Sequence, residues 1–243
     1  MLSIYFKELR SFFSSIVGYV VLLVFLIASG MFLWVFTDTS ILDYGYASME
    51  QFFTVAPWLL LFLIPAITMR SFADEFKGGT IEWLSTKPLS TRAIIFGKFF
   101  AALSLVIIAI LPTMLYIFSI NYLAMENAAL DMGGIIGSYI GLLFLSAAFT
   151  AIGIFCSALT DNQIVSFLVA FFCCFLLYFG FEALSRVAAF RGGADFYLSL
   201  IGVDYHYNSM NRGVIDTRDV VYFLSLVALF ITLTQFTLVK KKA

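Results

Sequence analysis

Residues Arg70–Lys98 read RSFADEFKGGTIEWLSTKPLSTRAIIFGK and form a charged island between two long apolar runs. These runs cover roughly Phe52–Met69 and Ile94–Ile120, and a helix needs about 20 residues to cross the apolar core of a bilayer. Charges at this density must face water or a partner, because an unpaired charge in lipid is costly. The island therefore predicts a structured segment outside the membrane that joins two membrane helices.

The composition is that of an integral membrane protein. Hydrophobic residues make up 62% of the chain and charged residues 12%, and the mean hydropathy is +1.01. A soluble domain averages about half apolar and a quarter charged residues. The cysteines, Cys156, Cys173 and Cys174, all lie inside apolar runs, where cysteine acts as a small hydrophobic residue. We expect one membrane domain over residues 1–243, without a separate globular unit.

The apolar runs predict an all-α fold with six transmembrane helices. A membrane span must satisfy its backbone hydrogen bonds internally, which favours helices for runs of this length. An even number of spans places both termini on the same side of the membrane. The six predicted spans are roughly Ile16–Phe36, Phe52–Met69, Ile94–Ile120, Gly133–Leu159, Ile164–Leu184 and Val220–Val239.

The distribution of positive charge predicts the orientation. Every lysine falls on the side of the two termini, and the opposite side is rich in carboxylates. Because positive flanks stay in the cytoplasm, we expect both termini there, in a bacterial inner membrane. The basic residues on the side of the termini are Lys7, Arg10, Arg70, Lys77, Lys87, Arg92, Lys98, Lys240, Lys241 and Lys242.

Two segments outside the spans have patterns of their own. Residues 1–15 alternate apolar and charged positions, which predicts an amphipathic helix lying in the membrane interface; the alternative is a basic flank that only orients the first span. Residues 186–218, between the fifth and sixth spans, are too apolar for a solvated tether. We expect them to fold back on the outer membrane surface as short helices after a hinge at Gly192-Gly193.

The charged island, residues 70–92, predicts a docking element. A first helix would end at Gly78-Gly79, and a second short helix would follow until Pro88 stops it. Such an element can transmit a push from a partner to the spans on either side; the alternative is a solvated loop with incidental charges. The residues predicted to dock are Glu75, Gly79, Thr80, Glu82 and Trp83.

Three further features admit a structural or a functional interpretation. Gly133, Gly137 and Gly141 form a glycine row that either packs within the subunit or forms a dimer seam. Glu182 and Arg186, four residues apart, predict an ion pair near the outer end of the fifth span, with a place on a substrate path as the alternative. His206 is the only histidine; we expect a plain loop residue and no metal site, which would need several ligands at fixed spacing.

No phosphate-binding loop is present in the sequence. Gly97-Lys98 lacks the upstream glycine of that motif, and Phe99 stands where Ser or Thr should follow. We therefore expect no cofactor in this chain and ATP hydrolysis, if any, in a partner subunit.

The island also carries a family resemblance. It is similar to the pattern E…GT-[IL]-E-x-L…P-[LI]…GK of type-2 ABC transporter permeases, in which this segment is the coupling helix that docks on the ATP-binding subunit. The matching residues are Glu75, Gly79-Thr80-Ile81-Glu82, Leu84, Pro88-Leu89 and Gly97-Lys98. The resemblance covers the whole chain and implies a six-helix permease that exports a substrate, with ATP and Mg²⁺ held by the partner.

Longer blocks resemble the permease subunit associated with gliding motility in Bacteroidetes. They are ILDYG (41–45), APWLLLFLIPAITMRSFADEFK (56–77), GSYIGLLFL (137–145) and LYFGFE (177–182). This resemblance implies a second permease-type or auxiliary membrane subunit, or a homodimer, and no contact with nucleic acid. The alternatives are a channel or carrier that needs no ATPase, and a structural scaffold of a motility complex. The substrate stays open.

Overall fold

A computed structural model describes residues 1–37, 39–41, 48–80, 90–124, 130–187 and 192–242. Within these ranges every regular element is a helix. The elements are α1 (Leu2–Phe13), α2 (Ile16–Trp34), α3 (Glu50–Thr68), α4 (Arg70–Lys77), α5 (Thr91–Ile110), a 3₁₀ turn (Leu111–Met114), α6 (Leu115–Leu123), α7 (Met132–Leu159), α8 (Gln163–Phe175), a π turn (Leu176–Gly180), α9 (Phe181–Ser185), α10 (Ala194–Ile201), α11 (Val203–Asn211) and α12 (Thr217–Lys242).

Six helical stretches in the described ranges are long and apolar enough to cross a membrane, which confirms the all-α, six-span prediction. The third contains α5, the 3₁₀ turn and α6, because Pro112 cannot donate a backbone hydrogen bond and tightens the helix at that point. The stretches are Ile16–Trp34, Glu50–Lys77, Thr91–Leu123, Met132–Leu159, Gln163–Ser185 and Thr217–Lys241.

Polar side chains set the start of four spans. The residue before each of these helices accepts a hydrogen bond from a backbone N–H of the first turn, which would otherwise lack a partner. The capping residues are Ser15 for α2, Ser90 for α5, Asp131 for α7 and Asn162 for α8.

Helix α7 lies at the centre of the bundle. In the most apolar 18-residue stretch of α7, 72% of the residues are buried. The corresponding shares for the first, fifth and sixth spans are 22%, 22% and 17%. It packs against α3, α5, α8, α11 and α12. The three exposed spans leave their apolar side chains at the periphery, as expected of helices that face lipid or another subunit.

The bundle has two ends, which we call the terminal face and the far face. The terminal face carries α1, α4, the starts of α5 and α8, and the end of α12, where Lys241 donates a hydrogen bond to the carbonyl of Leu159. The far face carries α10 and α11 and the start of α3, where the Tyr207 hydroxyl donates to the carbonyl of Phe53 at 2.7 Å. Within the predicted segment 1–15, residues Leu2–Phe13 form α1, whereas its position in a membrane interface stays a prediction.

Candidate functional site

Helix α4 begins directly after α3 and forms the described part of the charged island. Its residues Ser71, Phe72, Ala73 and Glu75 are buried, while Lys77 and the glycines after it are exposed. The helix therefore has one face turned into the bundle and one face turned outward. Its inward face decides how a force on the island reaches the spans.

Lys98 is the centre of an ion network that joins three helices on the terminal face. Its side chain is only 1% exposed, and its Nζ lies 2.8 Å from Glu8 Oε1 of α1 and 2.9 Å from Glu75 Oε1 of α4. The same Nζ donates a hydrogen bond to the carbonyl of Ser71 and lies 4.9 Å from the ring centre of Phe72. A buried ammonium held by two carboxylates ties α1, α4 and α5 together at one point.

Lys7 extends this network toward the surface. Its Nζ lies 3.0 Å from Glu75 Oε1 and 3.6 Å from Glu8 Oε1. Partial burial disfavours the charged form of Lys7, but the hydrogen bond and the charge of Glu75 outweigh that burial and raise its pKa. The four side chains, two basic and two acidic, balance one another.

Close packing brings α1 against α5 beside the network. A Cβ built at Gly97 would lie 3.0 Å from Ile4 Cβ, so the two backbones approach as only glycine permits. The hydroxyls of Tyr5 and Ser104 share a hydrogen bond of 3.0 Å farther along the same pair of helices. Gly97 and Lys98, adjacent in sequence, thus both position α1.

Ser157 of α7 attaches the junction between α3 and α4. Its Oγ accepts hydrogen bonds from the backbone N–H groups of Phe72 at 2.9 Å and Ala73 at 3.1 Å, and it donates to the carbonyl of Met69 at 3.0 Å. The first-turn N–H groups of a helix need such an acceptor when they are buried. One serine on the central helix therefore holds both the end of the second span and the start of α4.

Two more helices contact α4 from the other side. Gln163 at the start of α8 donates a hydrogen bond to Asp74 Oδ1. Lys241 of α12 lies 3.9 Å from the ring centre of Phe76. Helix α4 is thus in contact with side chains from α1, α5, α7, α8 and α12, as well as continuing from α3.

We expect Ser157→Ala to lower the free energy of unfolding by about 1–3 kcal/mol, because two buried N–H groups and one carbonyl lose their partner. Thermal unfolding in detergent, followed with a thiol-reactive dye that reports exposure of the buried Cys156 and Cys174, measures this change. Ser166→Ala is the matched control, since the Ser166 hydroxyl is buried without a hydrogen-bond partner among the described residues. Equal shifts in the two variants would contradict the attachment by Ser157.

The residues predicted to dock have different positions in the structure. Glu75 is only 8% exposed and faces Lys98, so the prediction that its charge is offered outward is wrong for this chain. Gly79 adopts a φ of +64°, which favours glycine, and Thr80 Oγ1 donates to the carbonyl of Glu75 at 3.4 Å. Glu82 and Trp83, with the second short helix predicted around them, lie outside the described residues. The docking role of all five stays a prediction.

The glycine row contacts the far-face segment of the same chain. A Cβ built at Gly137 would lie 2.7 Å from Gly213 Cα, and one at Gly141 would lie 2.9 Å from Met210 Cβ. A Cβ built at Gly133 would lie 3.4 Å from Asp131 Oδ1. Of the two interpretations of this row, packing within the subunit is the one that the structure shows at Gly137 and Gly141.

The segment between the fifth and sixth spans contains the helices α10 and α11, which lie on the far face. Arg186 donates to Glu182 Oε1, which forms the ion pair that the spacing predicted. Asp204 lies in the same region; burial, followed by the negative charge of Glu182, raises its pKa. Gly192 and Gly193 both have positive φ, at the turn before α10 where the hinge was predicted.

The expectation of a plain loop histidine at His206 is wrong. His206 lies in α11, is 7% exposed, and stacks on Tyr222 with ring centres 3.8 Å apart. Its Nδ1 lies 2.7 Å from Asp219 Oδ1 and its Nε2 lies 3.0 Å from the carbonyl of Leu200. The histidine therefore attaches the far-face segment to the start of α12. The described residues contain no group of three or more His, Cys, Asp or Glu side chains that could hold a metal ion.

The predicted site lacked the residues that hold α4 in place, namely Glu8, Lys98 and Ser157. Lys98 had a usable signal, since a lysine inside an apolar run requires a counter-charge, and the amphipathic N-terminal segment offers one in Glu8. Ser157 had none, because serine is common in membrane helices and its partners are backbone groups 84 to 88 residues away.

Comparison with known proteins adds one finding to this geometry. Residues 37–239 match the profile of a family described as "ABC-2 family transporter protein". The matched region begins after α2 and includes α4, the central helix α7 and most of α12. No curated protein in the comparison matches the chain.

Proposed function

Because this chain belongs to the ABC-2 family of transporter proteins, we propose that it is the permease subunit of an ATP-driven exporter and that a separate ATP-binding subunit docks on residues 70–92. Members of this family are multi-pass membrane components that work with an ATP-binding subunit. In this proposal the terminal face is cytoplasmic, with both termini inside, in a bacterial inner membrane; the lysines on the side of the termini support this orientation.

The observation that carries the docking proposal is the attachment of α4 to the bundle. The ion network at Lys98 joins α4 to α1 and α5, and Ser157 joins it to α7. A displacement of the exposed island therefore cannot be absorbed by α4 alone and must move the helices attached to it. That is the property required of an element that couples a motor subunit to membrane helices.

In this proposal the partner subunit, and not this chain, binds and hydrolyses ATP. The partner holds ATP and Mg²⁺, and closure of its nucleotide sites pushes on residues 70–92. The permease completes the transporter with a second permease-type or auxiliary subunit, or with a second copy of itself. The resemblance to gliding-motility permeases supports a role in that process, and the substrate is left open.

The charge distribution favours this function over an ion-driven carrier or channel. Such proteins place charged groups midway along their spans to handle ions. In the described parts of the six spans, charged side chains lie near the helix ends, and Lys98 is fully engaged with Glu8 and Glu75.

The experiment is co-purification with a candidate ATP-binding subunit. We expect Glu82→Ala combined with Trp83→Ala to reduce recovery of the partner and stimulation of its ATPase activity by about tenfold or more, as the loss of an aromatic and a charged contact typically does. The matched control combines Glu50→Ala with Tyr197→Ala, which removes the same kinds of side chain from exposed positions on the far face. Unchanged recovery and stimulation in the island variant would show that docking lies elsewhere.

A further inference from the structure

A cavity of about 240 Å³ opens on the terminal face between α1, α2, α3, α4 and α5. Its two ends differ in chemistry. One end is lined by charged side chains, among them Lys7, Glu8, Arg70, Asp74 and Glu75. The other end is lined by apolar side chains of the spans, among them Val17, Val21, Ile67, Ala101 and Leu105. An amphipathic cavity at the end of three membrane helices has the chemistry of a lipid site.

At the polar end, one oxygen of Glu75 and the guanidinium of Arg70 have no partner among the described residues. Glu75 uses Oε1 for Lys7 and Lys98, but its Oε2 is buried without a hydrogen-bond partner among the described residues. Arg70 is exposed and makes no hydrogen bond or ion pair with any described residue. A buried carboxylate oxygen without a donor is unfavourable unless something else supplies one. Glu75, with this unpaired carboxylate oxygen, and Arg70, with its unpaired guanidinium, both line the cavity.

We propose that this cavity binds the headgroup of an aminophospholipid, with the ammonium on Glu75 Oε2 and the phosphate on Arg70. A primary ammonium supplies three N–H donors, and guanidinium groups bind phosphate through paired hydrogen bonds. The first methylenes of an acyl chain would lie along Val17, Val21 and Leu105. Headgroup and chain thus match the two ends of the cavity.

Other occupants use only part of the cavity. An anionic lipid without an amine satisfies Arg70 but brings no donor to Glu75 Oε2. A soluble phosphoethanolamine group satisfies both charges but makes no use of the apolar end. A lone cation satisfies Glu75 and leaves Arg70 free. The aminophospholipid is the one class among these that engages every unpaired feature.

Binding at this place has a structural consequence. The bound lipid lies between α1 and α4 and contacts α4 through Arg70 and Glu75, so it braces the N-terminal helix against the start of the charged island. This binding requires no ATP-binding subunit, so its test is independent of the proposed transport function.

The test is native mass spectrometry of the purified full chain with defined lipids. We expect phosphatidylethanolamine to bind about tenfold more tightly than phosphatidylglycerol, which lacks the amine, and phosphatidylcholine, whose methyl groups remove the donors. Glycerophosphoethanolamine at the same concentration should not displace the lipid. Equal binding of the three lipids, or displacement by the soluble headgroup, would overturn the proposal.

Variants locate the site. Glu75→Gln should abolish the preference for phosphatidylethanolamine over phosphatidylglycerol, whereas Arg70→Gln should weaken both lipids by about tenfold. Arg92→Gln is the control for Arg70, since Arg92 is exposed nearby but does not line the cavity. Glu8→Gln is the control for Glu75, because it also removes a carboxylate partner of Lys98, whereas Glu8 has no buried oxygen that lacks a partner among the described residues. If Glu8→Gln and Glu75→Gln had equal effects, or Arg92→Gln matched Arg70→Gln, the assignment would be wrong.

Discussion

Lys98→Met should lower the free energy of unfolding by about 3–5 kcal/mol, among the largest losses expected from a single substitution in this chain. The variant removes the ammonium that lies 2.8 Å from Glu8 and 2.9 Å from Glu75. Glu75 is left buried with only the surface residue Lys7 as its counter-charge. Thermal unfolding in detergent with a thiol-reactive dye gives the size of the loss.

Two further variants separate the ion network from ordinary packing. Lys98→Met combined with Glu75→Gln removes the uncompensated charge, and we expect it to recover more than half of the lost stability. Arg92→Gln, on the exposed side of α5, breaks the hydrogen bond of 3.1 Å to Gln235 and should change stability by less than about 1 kcal/mol. A double variant as unstable as Lys98→Met would show that the loss of stability does not come from the uncompensated charge of Glu75.

The network explains why α1 packs on the bundle instead of only marking the start of the first span. Glu8 supplies a carboxylate to Lys98, and Ile4 packs on Gly97. Their partners in α5, Lys98 and Gly97, are adjacent in the sequence. A movement of α4 would therefore carry α1 with it, so the N-terminal helix belongs to the same mechanical unit as the charged island.

The spans could be predicted from the sequence because their causes are local. Apolar run length and capping residues act over a few neighbours, and the predicted fourth span, Gly133–Leu159, differs from α7 by one residue at its start. The ion pair between Glu182 and Arg186 could be predicted for the same reason, since its partners are one helical turn apart.

The site could be predicted only in part because its contacts join distant segments. The pairing of Lys98 with Glu8 spans 90 residues, and the bond from Phe72 to Ser157 spans 85. The density of charged residues in the island favoured an exposed docking surface that included Glu75, whereas the helical period of α4 turns Glu75 toward Lys98. His206 was misjudged for a related reason: its partner Asp219 belongs to the next span, and the pair forms only when the far-face segment folds back.

Gly153→Ala should lower the free energy of unfolding by about 3 kcal/mol, at the upper end of the range for overpacking a helix contact. A Cβ at this position of α7 would overlap Thr68 Oγ1 and lie 2.9 Å from Thr68 Cβ. Thr68 cannot rotate away freely, because its hydroxyl donates to the carbonyl of Ile64 at 2.8 Å and its side chain is fully buried. The backbones of α3 and α7 would have to separate.

The contact between Gly153 and Thr68 also supports the hydrogen bonds by which Ser157 holds the start of α4. Gly153→Ala therefore tests these hydrogen bonds as well as the packing of α3 on α7. Thr68 precedes Met69, whose carbonyl accepts from Ser157, so separating α3 from α7 at Gly153 also lengthens the Ser157 bonds. We expect Thr68→Gly, combined with Gly153→Ala, to restore most of the lost stability. A deficit of about 1 kcal/mol should remain, because the double variant places a glycine inside α3. Gly30→Ala in α2 is the control, because a Cβ there meets only the Tyr116 hydroxyl at 3.6 Å. If Gly153→Ala were as stable as Gly30→Ala, the close approach of α3 and α7 would be disproved, and with it the geometry by which Ser157 holds the start of α4.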